Sequence, residues 1–223
     1  MTLLRTLEPE SMDAIDEAVL YLEMKHEAVN RAFADDLFAG GPVGPRILDL
    51  GCGPGLILIE IAKHDPNVQV MGVDSSMEML DMAKQQIDFA GMLDRISLEH
   101  CDAKSMDEFA NQMADTVVSN SVIHHLDAPI AGLRSAVRLV KPGGRVFIRD
   151  LFRPDTEAEV ERLVTLHASE EPEAAQQLLR QSLHASLTLD EIRGLMEEVG
   201  MDVNAVQVTS DRHWTIDWRA GLG

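Results

Sequence analysis

A chain of 223 residues with 45% hydrophobic residues can bury one sizeable core, and its net charge of −19 opposes binding to a phosphate backbone. Charged residues at 26% are ordinary for a globular protein, which argues against disorder, and no apolar run approaches the roughly 20 residues needed to cross a membrane. The first residues lack a basic start followed by an apolar segment, so no secretory leader is read and a cytoplasmic location is expected.

In chain order, residues 11–39 predict a helix. Ile15, Ala18, Val19, Leu22, Val29, Phe33 and Leu37 recur at three- and four-residue spacing, with Ser11 or Asp13 as a cap and the breakers of residues 40–45 as the end. His26 interrupts that stripe. It is either a boundary histidine with one nitrogen in water or, with Tyr21 and Met24, faces a ligand pocket. Residues 46–62 then read as strand, glycine-rich turn and helix, with glycines at 51, 53 and 55 directly after an apolar run. Such a turn at the carboxyl end of a strand lets a ligand touch backbone. A dinucleotide fingerprint would need glycine at position 56, which is Leu.

A second strand, 68–74, ends on Asp74, 23 positions after Gly51. That is near the roughly 20-residue spacing at which a carboxylate meets ribose hydroxyls. Ser75 or Ser76 can cap the helix that follows to Gly91. A third strand runs from Ile96 towards Asp102. The two cysteines, Cys52 and Cys101, end strands one and three, about 9 to 10 Å apart across an intervening strand. This exceeds disulfide reach, and reduced thiols are expected.

A fourth strand and its exit occupy residues 115–126, carrying Ser119, Asn120 and the pair His124 and His125. A neutral imidazole there could deprotonate a nucleophile, or both rings could cap or pack the next helix. No metal site is expected, because adjacent histidines point differently and no cysteine or carboxylate set with ligand spacing surrounds them. After a helix over 129–140, strand five (144–150) ends on Arg149 and Asp150, which either line the substrate side of a pocket or form a salt bridge bracing its rim. Residues 151–201 predict three helices broken at Pro172 and Thr188, a candidate lid in which His167 and His184 read as surface or packing residues. Residues 203–209 and 213–218 close the chain as a hairpin with Trp214, Ile216 and Trp218 on one face and His213 near the pocket.

The pattern D-x-G-x-G-x-G from Asp49 to Gly55, followed in order by Asp74, Asp102 and the Ser119-Asn120 strand exit, resembles the class I S-adenosylmethionine-dependent methyltransferases over Arg46 to Asp150. The resemblance implies an α/β, Rossmann-like seven-stranded sheet of order 3-2-1-4-5-7-6, the seventh strand antiparallel, with helices on both faces. It implies one domain: residues 1–45 a helical lid, 46–150 the cofactor core, 151–201 a helical insertion and 202–223 the hairpin. S-adenosyl-L-methionine would lie across strands one to four. Its implied contacts are Asp49, Gly51, Cys52, Gly53, Gly55, Asp74, Ser75, Met79, Ser119 and Asn120, with Asp102 on the adenine amine and the Ala103 N–H on a ring nitrogen. Residues 119–122 lack the paired prolines and aromatic ring of enzymes that methylate planar nitrogens, while a histidine pair is common in small-molecule enzymes of this kind.

The activity so implied is in-line methyl transfer to an O, N or S atom of a small molecule, with His125 and His124 as candidate bases and Tyr21, Met24, His26 and Asp150 near the acceptor. The alternative is a non-catalytic module that holds S-adenosylmethionine or S-adenosylhomocysteine. A nicotinamide-dependent dehydrogenase ranks third, because of Leu56. Residues 149–154 and 209–214 are similar to a bacterial subgroup whose substrate the sequence does not name.

Overall fold

The computed structural model describes residues 3–8 and 27–222. The expectations for residues 11–26, including Tyr21, Met24 and His26, lie outside the described residues. Strand β1 (Arg46–Leu50) is buried at four of its five positions. It pairs in parallel with β2 (Gln69–Asp74) on one side and β4 (Ala114–Asn120) on the other. β3 (Ile96–His100) extends the sheet beyond β2, and β5 (Val140–Leu151) beyond β4. β7 (His213–Arg219) runs antiparallel to β5 and carries β6 (Val206–Val208) at the edge, giving the order 3-2-1-4-5-7-6.

Period-two alternation decides which core each strand residue enters. Ile47 packs with α1 (Glu27–Ala39), α2 (Leu56–His64) and α3 (Met77–Phe89), whereas Leu48 and Leu50 join α4 (Pro129–Leu139) and α7 (Leu189–Glu198) on the opposite face. Asp49 therefore occupies a core-facing position on the Ile47 side. On α1 the buried stripe is Asn30, Phe33, Ala34 and Leu37. Val29, expected on that stripe, is only half-buried, and the polar Asn30 takes its place.

The stop expected at residues 141–144 lies inside β5, where the pairing with β4 shifts between Ala114 and Thr116. The first arm of the expected hairpin is shorter than read. Asp202 Oδ1 accepts from Asn204 N at 2.9 Å and starts a 3-10 turn over Val203–Ala205. The three helices after β5 fall where the breakers put them: α5 (Glu157–Ala168), α6 (Glu173–Ala185) and α7. His167 pairs with Asp211 and His184 with Glu157. Both cysteines are free, and no helix among the described residues is long and apolar enough to cross a membrane.

Residues 3–8 form a strap over this helical layer. Arg5 donates to the carbonyls of Ala185 (2.6 Å), His124 and Leu126 (3.0 Å each), Thr6 N donates to His184 O, and Leu3 packs against the α5–α6 core. The start of α7 is fixed by a reciprocal cap: Thr188 Oγ1 accepts from Glu191 N at 3.2 Å while Glu191 Oε2 accepts from Thr188 N at 2.8 Å. Thr188→Ala leaves one N-terminal donor unsatisfied and is expected to cost about 1 kcal/mol in urea unfolding. An unchanged midpoint would show that the neighbouring Arg153–Glu191 ion pair, at 2.7 Å, holds the helix start by itself.

Candidate functional site

The glycine turn after β1 carries three left-handed residues: Gly51 (φ 74), Gly53 (φ 51) and Gly55 (φ 76). Their reasons differ. A Cβ on Gly51 would stand 2.4 Å from Val122 Cγ2, so the turn and the exit of β4 can approach only through glycine. A Cβ on Gly53 would meet nothing within 4 Å, which leaves bare backbone as the floor of an open cavity. Gly55 faces α3, where a Cβ would lie 3.0 Å from Ala83 Cβ. It packs two helices together and does not line the cavity, contrary to the expectation for it.

Asp74, at the end of β2, holds the turn from the side. Its Oδ2 accepts from Gly53 N at 2.8 Å and its Oδ1 from Ser76 N at 2.9 Å. Ser76, not Ser75, caps α3 by accepting from Met79 N. The cavity so framed measures about 330 Å³. Asp49, Gly51, Cys52, Gly53, Asp74 and Ser75 line it, as do Met79, Asp102, Ala103 and Asn120 among others. Ser119 does not reach it: it is fully buried and its Oγ donates to Leu50 O at 2.7 Å, locking β4 to β1.

The electrostatics of this floor call for a cation. Asp49 is 2% exposed, and burial, then the neighbouring Asp74 charge, raises its carboxyl to about 8. Burial also raises Asp74, against the backbone donors of Ser76, Gly53 and Ser75. Burial pushes the Cys52 thiol well up, so it is not a thiolate nucleophile. A ligand with a positive end for Asp49 and hydroxyls for Asp74 satisfies both groups. S-adenosylmethionine, with its ammonium, sulfonium and ribose, fits that demand.

A second cavity of about 350 Å³ adjoins the first, with Asn30, Asn120, Ser121 and His125 lining both. Asn120 Oδ1 is buried there without a hydrogen-bond partner, and Ser121 holds a left-handed φ of 56°, backbone strain of the kind that collects at functional sites. The far walls come from α5, α6 and the final hairpin, including Leu166, Leu179, Arg212 and His213. Burial and then the charges of Arg212 and Arg149 depress His213 to about 3, so it is a neutral wall.

Asp150 was expected among the lining residues and is instead fully buried behind His124, whose Nδ1 lies 2.5 Å from Asp150 Oδ1 and whose backbone N donates to Oδ2. Arg149 is the brace of the two readings: it pairs with Asp36 at 2.6 Å and donates to Thr215 Oγ1 at 3.0 Å. No carboxylate set with ligand spacing flanks the histidine pair in sequence, but the fold brings one carboxylate to it from far along the chain. Glu8, from the strap, places Oε1 3.3 Å from both His124 Nε2 and His125 Nδ1. Burial alone would lower His124, but Asp150 and Glu8 outweigh it and raise it to about 9. Such an imidazole is no free base at neutral pH.

Asn30, Ser121, Val122 and Glu8 are the residues missed from sequence. Asn30 left a signal, a polar side chain in phase with Phe33, Ala34 and Leu37. Glu8 left none, since its meeting with the histidines spans more than a hundred residues of chain.

The family described as a methyltransferase domain matches residues 47–144, which run from the start of β1 to the entry of β5 and hold the glycine turn, Asp74 and Asp102. Residues 47–144 are thus similar to a methyltransferase domain, and the sheet around them has the fold seen in solved methyltransferases. The chain is 34% identical over 109 residues to an uncharacterized methyltransferase of Schizosaccharomyces pombe, covering 47% of this chain and 39% of that one. It is 32% identical over 125 residues to a ubiquinone/menaquinone biosynthesis C-methyltransferase of Geotalea daltonii (56% of this chain, 52% of that one). It is 33% identical over 117 residues to a ubiquinone biosynthesis O-methyltransferase of Vibrio vulnificus (52% and 47%). The chain thus spans about half or less of the length of these relatives. A solved S-adenosylmethionine-dependent methyltransferase from Aquifex aeolicus shares the fold at TM-score 0.71 and 16% identity, covering 92% of this chain and 98% of that one. An O-methyltransferase family protein from Burkholderia thailandensis shares it at TM-score 0.69 and 19% identity (95% and 60%).

Proposed function

We propose that the protein transfers a methyl group from S-adenosylmethionine to a nucleophilic atom of a small molecule held in the second cavity. The observation that carries this reading is the seam: the cavity that suits the cofactor opens, through Asn30, Asn120, Ser121 and His125, onto a second cavity of similar size. In this reading Asp74 accepts from the ribose hydroxyls, Asp49 faces the ammonium end, and Asp102 with the Ala103 N–H takes the adenine edge. When bound, the cofactor supplies an activated methyl group on a good leaving group. The chain's part is to align a nucleophile at the seam and exclude water around it, which can account for about 7–11 kcal/mol of a barrier. The relatives are named for C- and O-methylation respectively, so their names do not fix the acceptor atom.

The test is turnover of methyl-labelled S-adenosylmethionine against a panel of small phenols, alcohols, thiols and amines. Acceptor-dependent formation of S-adenosylhomocysteine supports the reading. Tight cofactor binding with no turnover on any acceptor would favour the non-catalytic module instead.

Asp49 adds a prediction of its own. With its carboxyl raised to about 8, it is mostly protonated at neutral pH, and a cationic ligand beside it favours the ionised form. Cofactor binding should therefore release close to one proton at neutral pH and none well above the raised value. Calorimetry in two buffers of different ionisation enthalpy measures this release, and Asp49→Asn should abolish it. A wild-type enthalpy independent of buffer would place the positive end of the cofactor elsewhere.

A further inference from the structure

We infer that Glu8, His124 and His125 form a three-ligand site for a divalent transition metal of the zinc or cobalt type, opening on the seam between the two cavities. The metal site itself does not depend on methyl transfer; the acceptor class drawn from it below rests on that reading. Glu8 Oε1, His124 Nε2 and His125 Nδ1 all lie within 4.8 Å of one another. The carboxylate oxygen is 3.3 Å from each ring nitrogen, and neither approach has hydrogen-bond geometry for Glu8 Oε1 or His124 Nε2. Bonds of roughly 2.0–2.1 Å at tetrahedral angles place neighbouring donor atoms roughly 3.3–3.4 Å apart, so these contacts match edges of a coordination tetrahedron.

The surroundings support the assignment. Neighbouring histidines usually diverge, but these rings lie 4.2 Å apart at 33°, with one nitrogen of each turned to the same carboxylate. Asp150 fixes the ring: with Nδ1 held against Asp150 Oδ1, the nitrogen a metal would take, by displacing its proton, is Nε2 on Glu8's side. A carboxylate behind a histidine is the usual outer shell of a metal-bound imidazole. Arg5, through the carbonyls of His124 and Leu126, holds the strap that delivers Glu8. Two imidazoles and a carboxylate suit a borderline metal better than calcium or magnesium, which prefer all-oxygen sites.

His125 lines both cavities, so a metal held by it would border the place proposed for the acceptor. A thiol or hydroxyl bound there gives its proton to solvent more readily than a free one and keeps its lone pair at the seam. The acceptor class is then a metal-binding nucleophile.

The experiment is titration of chelator-treated, full-length protein with Co²⁺ at neutral pH, followed by visible absorption and by competition with Zn²⁺. One equivalent should bind with the intense bands of a four-coordinate ion and be displaced by Zn²⁺. Glu8→Gln and His125→Ala should each weaken binding by about tenfold or more, with circular dichroism confirming that both variants fold. No Co²⁺ band in the wild type overturns the site and leaves a proton as the cation between Asp150 and Glu8. Loss of affinity in only one of the two variants overturns the three-ligand set. Neither cofactor nor acceptor enters the titration, so a failure of the methyl-transfer reading leaves its outcome intact.

Discussion

Asp74→Ala should weaken S-adenosylhomocysteine binding by about tenfold or more in calorimetry, while the thermal midpoint of the ligand-free protein falls by only about 2–4 °C. A charge-assisted hydrogen bond is worth about 1.5–3 kcal/mol, and about 1.4 kcal/mol is tenfold in affinity. The carboxylate has two tasks. It holds the bare floor of the cavity through Gly53 N and the start of α3 through Ser76 N, and in the proposed reading it also takes the ribose hydroxyls. Asp74→Asn separates them. The amide keeps the shape and one acceptor oxygen, so it should lose less than the alanine if the turn matters most, and nearly as much if the ribose does. Stability should fall by about 1 kcal/mol, because Gly53 N and Ser76 N lose their acceptor, while Ser76 still caps the helix by accepting from Met79 N. Wild-type affinity in both variants would remove Asp74 from the site and, with it, the proposed orientation of the cofactor.

The sequence was most informative where a backbone conformation or a strand end decides the outcome. Gly51 and Gly53 could be placed because a left-handed turn after an apolar run has few other causes, and Asp74 because a strand must deliver it to the same edge. The same motif misled at Gly55 and Ser119. Spacing locates a residue along the chain, but whether it faces ligand, helix or neighbouring strand depends on Ala83 and Leu50, which no local pattern names. Asp150 sits at the expected strand end, yet the alternation of β5 turns it inward under His124. Glu8 was beyond reach for a different reason. The strap has no periodicity of its own and is held by single hydrogen bonds from Arg5 and Thr6 to distant carbonyls, contacts that leave no trace in spacing.

Arg145→Ala is expected to destabilise the fold by about 3 kcal/mol, which for a chain of this size lowers the melting temperature by about 6–12 °C. Arg145 is fully buried, though its partner Asp217 is partly exposed, and the guanidinium makes a two-pronged pair with it at 2.6 and 2.8 Å. Its remaining arm donates to the carbonyl of Leu37 at 2.6 Å, and the group lies 5.1 Å from the Phe147 ring. Removal opens a cavity against Phe147 and leaves the carbonyl at the end of α1 buried without that donor; the freed Asp217 costs little, because water reaches it. Arg145→Met refills part of the volume beside Phe147 and should recover part of the loss through apolar contact. The carbonyl of Leu37 sets the limit to that recovery. Because α1 also carries Asn30 to the seam, the folded fraction of either variant should bind S-adenosylhomocysteine more weakly if Arg145 holds the helix in place. Unchanged melting in Arg145→Ala would mean that Phe33 and Leu37 seat α1 on the sheet without it.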